Sequence, residues 1–248
     1  RKRDTFIPAE RPLTIYVNKF ELVTLMTLGS MPEALVLGYL RNQRIVSDIE
    51  QVVSIQVDWE INSAAVVLKK FDSKSITEKI EKKTVTTGCG QGTIFGDIQD
   101  DFDSLILSKS AKLKQSTLVS IINIIRTHES VYKKAGSVHG CALFEKDKMI
   151  LFVEDVGRHN AVDSIAGMMW LERLEGEKLV FYTTGRLTSE MVIKGAQMGI
   201  PFLLSRSGVT QMGVEMARKV DLALFGRCSG KHFLLFSGFD RFVPEVID

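Results

Sequence analysis

Short apolar runs separated by polar turns fill the first 70 residues of the chain. The polar pair Asn18-Lys19 between two such runs is suited to a hairpin turn. The order from Ser30 to Glu33, with a proline inside it, is that of a capping box and predicts a helix that ends near Arg41. Four runs rich in β-branched residues predict strands at 13–17, 20–25, 52–59 and 64–68. This part of the chain is therefore expected to be a small α+β unit.

From about residue 116 the pattern alternates between the helical period and continuous apolar runs. Amphipathic stretches predict helices at 118–128, 160–171, 188–198 and 211–219. Continuous runs predict strands at 141–144, 150–153, 179–183, 202–205, 222–225 and 233–236. Strands separated by helices indicate a layered α/β domain with a largely parallel sheet. Functional residues of such domains gather in the loops beyond the carboxyl ends of the strands.

A polar stretch and a cluster of glycines lie between these two regions. The polar stretch is a candidate boundary, although it could equally be one long hairpin. The predicted division is a small α+β domain over 1–85, a glycine-rich loop and connection with a cysteine over 86–110, and an α/β domain over 111–248. The expected fold class is α/β for the larger domain and α+β overall.

Composition and charge narrow the class of protein. Of the 248 residues, 45% are hydrophobic and 25% are charged, which is typical of a globular chain. The formal net charge of +2 disfavours a nucleic-acid partner. Three distant cysteines do not make a secreted disulfide framework, no apolar run reaches the roughly 18 residues that span a bilayer, and no secretory signal is visible. We expect a cytoplasmic protein that binds neither membrane nor nucleic acid.

Cys89 lies in the most reactive-looking segment, 86–93, with a glycine on each side. Glycines leave the side chain uncovered and let backbone amides approach a sulfur anion, and the thiolate is the nucleophilic form of cysteine. The alternative is a glycine-rich turn with an incidental thiol, and the composition of the loop alone favours that alternative. Cys141 opens an apolar strand, so it is expected to be a small buried core residue.

A polar loop at 154–160 follows a predicted strand directly. A carboxylate such as Asp155 could accept hydrogen bonds from guanine, while Arg158 suits a pyrophosphate. Alternatively, the two side chains form a surface ion pair beside a helix that is capped by Asn160.

Three later loops have a similar character. The loop 183–190 combines hydroxyls, a glycine and Arg186 at a helix N-terminus, which suits phosphate, although Thr188 or Ser189 could simply cap that helix. The loop 205–208 also combines hydroxyls, an arginine and a glycine, but it is a weaker candidate. The last loop reads either as an anion cradle or as a solvated turn, and its residues are Arg227, Cys228, Ser229, Gly230, Lys231 and His232. Four such loops in order predict a basic, hydroxyl-rich pocket for a phosphorylated ligand.

Together these segments resemble the FdhD family of formate dehydrogenase accessory sulfurtransferases. Residues 154–163, Glu-Asp-Val-Gly-Arg-His-Asn-Ala-Val-Asp, are similar to that family's signature almost letter for letter. The similarity continues through 184–192, the 136–139 turn, 226–228 and the early helix at 33–41. It therefore spans nearly the whole chain in order, and a ten-residue polar signature is far more specific than a glycine loop.

The resemblance implies a larger domain similar to cytidine deaminases, a smaller α+β domain, and a homodimer. It also implies a sulfurtransferase-type activity. Such proteins accept persulfide sulfur from a cysteine desulfurase and deliver it to the molybdenum bis(molybdopterin guanine dinucleotide) cofactor that formate dehydrogenase needs.

Carried over by position, Cys89 matches the persulfide cysteine of the family, and 227–232 matches the segment associated with the cofactor. Asp155 or Asp163 is the candidate for guanine, and His159 could orient a loop or shuttle a proton. The candidates for the phosphates are Arg158, Arg186, Arg227 and Lys231.

Two features of the sequence depart from related patterns. The family's cysteine loop often reads Cys-x-x-Cys, but its later position is Gly92 here, which leaves persulfide transfer open and removes an internal disulfide. His139-Gly140-Cys141 lacks the glutamate of the deaminase motif, so we expect neither zinc nor deaminase activity.

Two alternatives to sulfur transfer remain at this stage. One is a chaperone that binds and inserts the molybdenum cofactor without moving sulfur. The other is a nucleotide-modifying enzyme, which stoichiometric zinc would favour.

Overall fold

The computed structural model describes residues 6–70, 102 and 105–245 of the chain. Contacts between Cα atoms divide these residues into two units. The first unit holds 6–70, 131–138 and 153–174, and the second holds 102, 105–130, 139–152 and 175–245. Both units are therefore assembled from separate segments of the chain.

Twelve strands and six α-helices are formed by the described residues. The strands are β1 Arg11–Val17, β2 Phe20–Thr27, β3 Val52–Asp58, β4 Ser63–Leu68, β5 Leu113–Lys114, β6 His139–Glu145, β7 Lys148–Asp155, β8 Leu179–Thr183, β9 Phe202–Ser205, β10 Ala223–Ser229, β11 His232–Ser237 and β12 Phe242–Val243. The helices are α1 Pro32–Asn42, α2 Gln115–Thr127, α3 Val131–Ala135, α4 Arg158–Leu171, α5 Ser189–Gln197 and α6 Gln211–Lys219. The mixed α/β class predicted from the sequence is confirmed.

The first unit contains a four-stranded sheet in the order β2-β1-β4-β3. Leu13, Ile15 and Val17 alternate along β1 toward a core that also takes one face of α1. The predicted turn between β1 and β2 is confirmed: Asn18 and Lys19 both have positive φ, as a two-residue hairpin turn of matching twist requires.

Helices α1 and α4 pack at very short range in the first unit because glycines face the partner backbone. A Cβ added at Gly38 would lie 1.6 Å from the Asp163 carbonyl oxygen, and one at Gly167 would lie 1.9 Å from the Ala34 carbonyl oxygen. Arg41 closes the same interface, since its guanidinium donates to the Ala166 carbonyl at 2.9 Å. Burial lowers the pKa of Arg41 to about 10.

The helix cap predicted at Ser30 is wrong, and so is the alternative in which Asn160 caps a helix. Met31, not Ser30, precedes α1, and no side chain caps that helix. Ser30 instead donates its hydroxyl to the Glu154 carbonyl at 3.2 Å, so a distant partner replaces the local one. Helix α4 begins at Arg158 after Gly157, which places Asn160 inside the first turn.

The second unit is built on a six-stranded sheet in the order β11-β10-β9-β8-β6-β7. Strands β8, β9 and β10 run parallel to one another, whereas β6 and β11 are antiparallel to their neighbours. The prediction of a largely parallel sheet is therefore wrong. The cause is a pair of hairpins, β6–β7 and β10–β11, whose two-residue connections are too short for a parallel crossover.

Three short elements have no counterpart in the sequence prediction. Helix α3 has five residues, and β5 and β12 pair as two-residue strands. Such lengths are too short for a hydrophobic period to emerge. Among the described residues, no helix has the length and apolar character to cross a bilayer.

Candidate functional site

Asp155, at the end of β7, is a buried carboxylate of the first unit and is only 2% exposed. It accepts hydrogen bonds from the Thr27 hydroxyl, from the backbone amides of Leu28 and Gly157 at 3.2 and 3.1 Å, and from the Asn160 side chain at 2.9 Å. Four protein donors thus surround the carboxylate that the sequence made a candidate for guanine. Its hydrogen bonds fasten the 154–160 loop to the end of β2.

The neighbouring side chains of this loop are also engaged. Glu154 accepts from the backbone amides of Val131 and Tyr132, both at 2.7 Å, at the start of the short helix α3. Arg158 and His159 are buried in the first turn of α4. The arginine predicted for pyrophosphate is thus 7% exposed, and it is not on an open surface.

Asp163, the second candidate for guanine, lies in the α1–α4 interface and is 2% exposed. Its Oδ1 accepts from the Asn42 side chain at 2.6 Å. Burial and the nearby Asp163 carboxylate raise the pKa of Tyr39. In this position the carboxylate joins two helices of the first unit.

Two loops of the second unit, after β8 and β9, have the same construction. Thr183 and Ser205 are register partners at the ends of these parallel strands. Leu187 and Val209, four residues further along each loop, form an isolated parallel bridge. The helices α5 and α6 then begin after Thr188 and Thr210. We call 183–188 the first loop and 205–210 the second loop.

Buried hydroxyl groups connect these two loops. Ser205 donates its hydroxyl to the Gly185 carbonyl at 2.6 Å and accepts from the Ser207 amide at 2.9 Å. Thr183 accepts from the Gly185 amide at 3.1 Å and from the Cys141 thiol at 3.4 Å. Both hydroxyl residues are fully buried, so they hold the backbone of the loops from the interior of the protein.

An exposed arginine lies at the carboxyl end of each of the three parallel strands. Arg186 belongs to the first loop, Arg206 to the second, and Arg227 to a bulge in β10. The Arg227 amide donates to the Ser207 carbonyl at 2.7 Å, which joins the bulge to the second loop. Main-chain hydrogen bonds thus bring three arginine-bearing segments together at the carboxyl ends of β8, β9 and β10.

The predicted cradle at 227–232 is a hairpin in the structure. Ser229 and His232 pair across a two-residue turn of Gly230 and Lys231, and Gly230 has a φ of +61° that favours glycine. The side chains of Ser229, Lys231 and His232 are exposed, together with that of Arg227. Their roles in cofactor binding remain predictions.

Cys141 and Cys228 are both buried in the second unit, at 0% and 2% exposure. Burial raises the pKa of the Cys228 thiol to about 12 despite a hydrogen bond with the Ser205 backbone. The Cys228 thiol therefore belongs to the core and stays protonated at neutral pH, although its segment was predicted to bind cofactor. Cys89 and Gly92 lie outside the described residues.

Two other features of the described residues bear on ligands. A shallow depression of about 440 Å³ runs along α2, and none of the predicted site residues lines it. Within the described ranges, no group of three or more His, Cys, Asp or Glu side chains could hold a metal ion. The expectation of no zinc and no deaminase activity stays a prediction.

The sequence matches the FdhD/NarQ family over residues 8–243. The chain belongs to this family. It is 27% identical over 236 residues to the sulfur carrier protein FdhD of Wolinella succinogenes, covering 95% of this chain and 82% of that protein. It is 29% identical over 243 residues to the protein of that name from Listeria monocytogenes serotype 4b, covering 96% and 92%.

A solved structure is also similar to this FdhD/NarQ family member. It comes from Desulfotalea psychrophila and is named for a proposed role as a formate dehydrogenase accessory protein. The two structures superpose with a TM-score of 0.76 at 25% identity, over 95% of this chain and 90% of that one. The resemblance inferred from the 154–163 signature is thus confirmed at the level of the family.

Sequence reasoning gave little weight to the second loop and to the hydroxyls beneath both loops. A signal was available, because Thr183, Leu187 and Thr188 recur as Ser205, Val209 and Thr210 at a constant spacing. The repeat is short and its loop residues differ, so it becomes visible only when β8 and β9 are known to be adjacent and parallel.

Proposed function

We propose that this protein is a sulfur carrier that accepts persulfide sulfur on Cys89 and delivers it to the molybdenum bis(molybdopterin guanine dinucleotide) cofactor of formate dehydrogenase. Membership of the FdhD/NarQ family supports the proposal, as do the relatives named sulfur carrier proteins. The cytoplasmic location and the homodimer remain part of the same proposal.

The state of the other two cysteines carries the assignment to Cys89. A sulfur acceptor must reach a partner protein as a thiolate, and exposure and a moderate pKa favour this state. Cys141 is fully buried, and the Cys228 thiol is buried with a strongly raised pKa. With three cysteines in the chain, Cys89 between its two glycines is left as the carrier.

In the first step, the Cys89 thiolate attacks the outer sulfur of a cysteine desulfurase persulfide. The sulfur–sulfur bond of the donor breaks, the desulfurase cysteine leaves as a thiolate, and Cys89 becomes a persulfide. The outer sulfur is then transferred to molybdenum. The sulfur–sulfur bond of the Cys89 persulfide breaks, Cys89 leaves as a thiolate, and two electrons from the reduced molybdenum centre bring the transferred sulfur from the sulfane to the sulfide level.

The second unit supplies the proposed site for the guanine dinucleotide. Arg186, Arg206 and Arg227 are exposed on three segments that hydrogen bonds hold together. Arginine suits this task because its planar fork binds phosphate oxygens in pairs. Lys231 of the 227–232 hairpin adds to the positive charge of the surface.

Maturation of formate dehydrogenase tests the proposal. Cys89→Ala should abolish formate dehydrogenase activity in a strain that depends on this protein, while the purified variant still binds GDP, a fragment of the cofactor's dinucleotide. Cys141→Ser is the matched control, since it removes a buried thiol of the second unit, keeps a hydrogen-bond donor to Thr183 and should leave maturation intact. Full maturation with Cys89→Ala would refute sulfur transfer by this residue and favour a cofactor chaperone.

A further inference from the structure

The first and second loops are two copies of one arrangement, offset by 22 residues. Thr183 and Ser205 are register partners, Leu187 and Val209 form a bridge, and both copies end at a threonine before a helix. In each copy, the hydroxyl of the strand's last residue accepts from the amide two residues later. This shared turn fixes the backbone conformation of the segments that contain Arg186 and Arg206.

The two hydroxyls also form a chain of contacts across the sheet. Thr183 is held from the β6 side by the Cys141 thiol, and Gly140 exchanges hydrogen bonds with Thr184 at 3.0 and 2.9 Å. Ser205 then ties the second loop to the first through the Gly185 carbonyl. A chain of hydrogen bonds therefore runs from β6 through both hydroxyls to the second loop.

Each hydroxyl lies within three residues of an exposed arginine in the chain. Arg186 directly follows Gly185, whose amide and carbonyl are bound by Thr183 and Ser205 respectively. Arg206 stands between Ser205 and Ser207. Neither hydroxyl can touch a ligand itself, because both side chains are fully buried.

We propose that Thr183 and Ser205 are positioning residues that hold the two arginine-bearing loops side by side for binding a diphosphate. The inference rests on the proposed function, because it concerns the site for the guanine dinucleotide. Two copies of one loop, side by side on parallel strands, suit a ligand with two linked phosphates better than one with a single phosphate. Preorganised loops also bind with a smaller entropic cost than loops that must be ordered by the ligand.

Removal of either hydroxyl should release its loop. In Ser205→Ala, the buried Gly185 carbonyl and the Ser207 amide both lose their partner, and an unpaired buried group favours a shifted backbone. In Thr183→Val, the Gly185 amide loses its acceptor while the volume of the side chain is kept. Thr183→Ser keeps the hydroxyl and is the conservative variant.

Calorimetric titration of the full-length protein with GDP and with GMP tests the proposal. Wild type is expected to prefer GDP. Ser205→Ala and Thr183→Val should each bind GDP about tenfold more weakly and lose most of the preference over GMP. Thr183→Ser should bind GDP within about twofold of wild type.

Ser237→Ala provides the matched control for stability. Ser237 is 1% exposed in the same unit and donates its hydroxyl to the Leu222 carbonyl at 2.7 Å, outside both loops. It should lower the thermal unfolding midpoint about as much as Ser205→Ala does, and should leave GDP binding unchanged.

The outcomes separate this inference from the proposed function. If wild type fails to bind GDP, the guanine-dinucleotide site itself is refuted. If wild type prefers GDP and both hydroxyl-free variants keep that preference, the positioning role is refuted. Equal losses of GDP affinity in Ser205→Ala and Ser237→Ala would also refute it, since they would reflect stability alone. Should Ser205→Ala fail to fold, the comparison of Thr183→Val with Thr183→Ser decides.

Discussion

The loop that follows β7 and the loops that follow β8, β9 and β10 have similar compositions, yet the protein uses them differently. In 154–160, the acidic side chains are consumed by hydrogen bonds inside the first unit, and Arg158 is buried. In the second unit, the first and second loops bury the hydroxyls of Thr183 and Ser205 and expose their arginines. Polar composition after a strand therefore predicts a hydrogen-bonded junction, and the exposure of the charged groups decides whether a ligand can reach it.

The residues that identify the family are therefore different from the residues proposed to bind the ligand. The 154–163 signature identifies the family, but in the structure its carboxylates hold β2 and α3 to the end of β7, and α1 to α4. The groups best placed to bind phosphate belong to segments with weaker signatures. A motif can be highly specific to a family because the fold depends on it.

The largest expected effect comes from the interior loop. Asp155→Ala removes the acceptor shared by four donors, including the buried Thr27 hydroxyl. We expect a loss of about 3 kcal/mol or more in the free energy of unfolding, measured by chemical denaturation. Glu10→Ala is the control, an exposed acid of the same unit that should change stability by less than about 0.5 kcal/mol. An equally small effect of Asp155→Ala would remove the structural role assigned to this loop.

A second test concerns the helix to which the loop leads. Gly38→Ala places a Cβ 1.6 Å from the Asp163 carbonyl oxygen, so α1 and α4 must move apart. The expected loss is about 3 kcal/mol by thermal or chemical unfolding. Gly208→Ala is the matched control, because a Cβ there meets nothing within 4 Å. Equal stability of the two variants would contradict the close packing of α1 on α4.

In the exposed loops, substitutions of the arginines should weaken ligand binding and leave the stability of the protein unchanged. The double variant Arg186→Ala and Arg227→Ala is expected to bind GDP about a hundredfold more weakly, because two charge-assisted contacts are lost. Its unfolding free energy should stay within about 0.5 kcal/mol of wild type, since both side chains are exposed. Lys148→Ala removes an exposed cation at the β6–β7 turn and serves as the control. Unchanged GDP binding in the double variant would end the assignment of these arginines to phosphate.

The smallest expected effect concerns Cys228 and pH. Because burial raises the pKa of this thiol to about 12, the folded protein retains a proton that the unfolded chain releases near pH 9. The resulting stabilisation is complete below pH 9 and is lost as the pH rises toward 12. Relative to Cys228→Ala, wild type should lose about 1.4 kcal/mol of unfolding free energy between pH 8 and pH 10. Parallel curves for the two proteins over that interval would show that the thiol is not buried as described.

The sequence predicted correctly those strands and helices whose hydrophobic pattern is complete within the element itself. Strand β8 and helix α6 match their predicted bounds, because a bounded apolar run and a helical period are complete within each segment. The capping box at Ser30 failed because its serine finds a partner 124 residues away. The parallel sheet failed toward its two edges because the hairpins β6–β7 and β10–β11 reverse the direction of the chain there.

The candidate site, like the fold, was predictable only where it depends on the local sequence. The positions of Arg186 and Arg227 followed from polar loops placed after strands. The engagement of Asp155 could not be foreseen, because its main partner, Thr27, is 128 residues away in sequence. The pairing of Thr183 with Ser205 likewise depends on two strands becoming neighbours, which no local pattern reports.

The central claim is that sulfur travels on Cys89 and on no other cysteine of this chain. Mass spectrometry after incubation with a cysteine desulfurase and cysteine tests it most directly. The account predicts a gain of about 32 Da on the peptide that holds Cys89, its absence in Cys89→Ala, and its persistence in Cys141→Ser. A sulfur adduct on Cys141 or Cys228, or none on Cys89 in the wild-type protein, would contradict it.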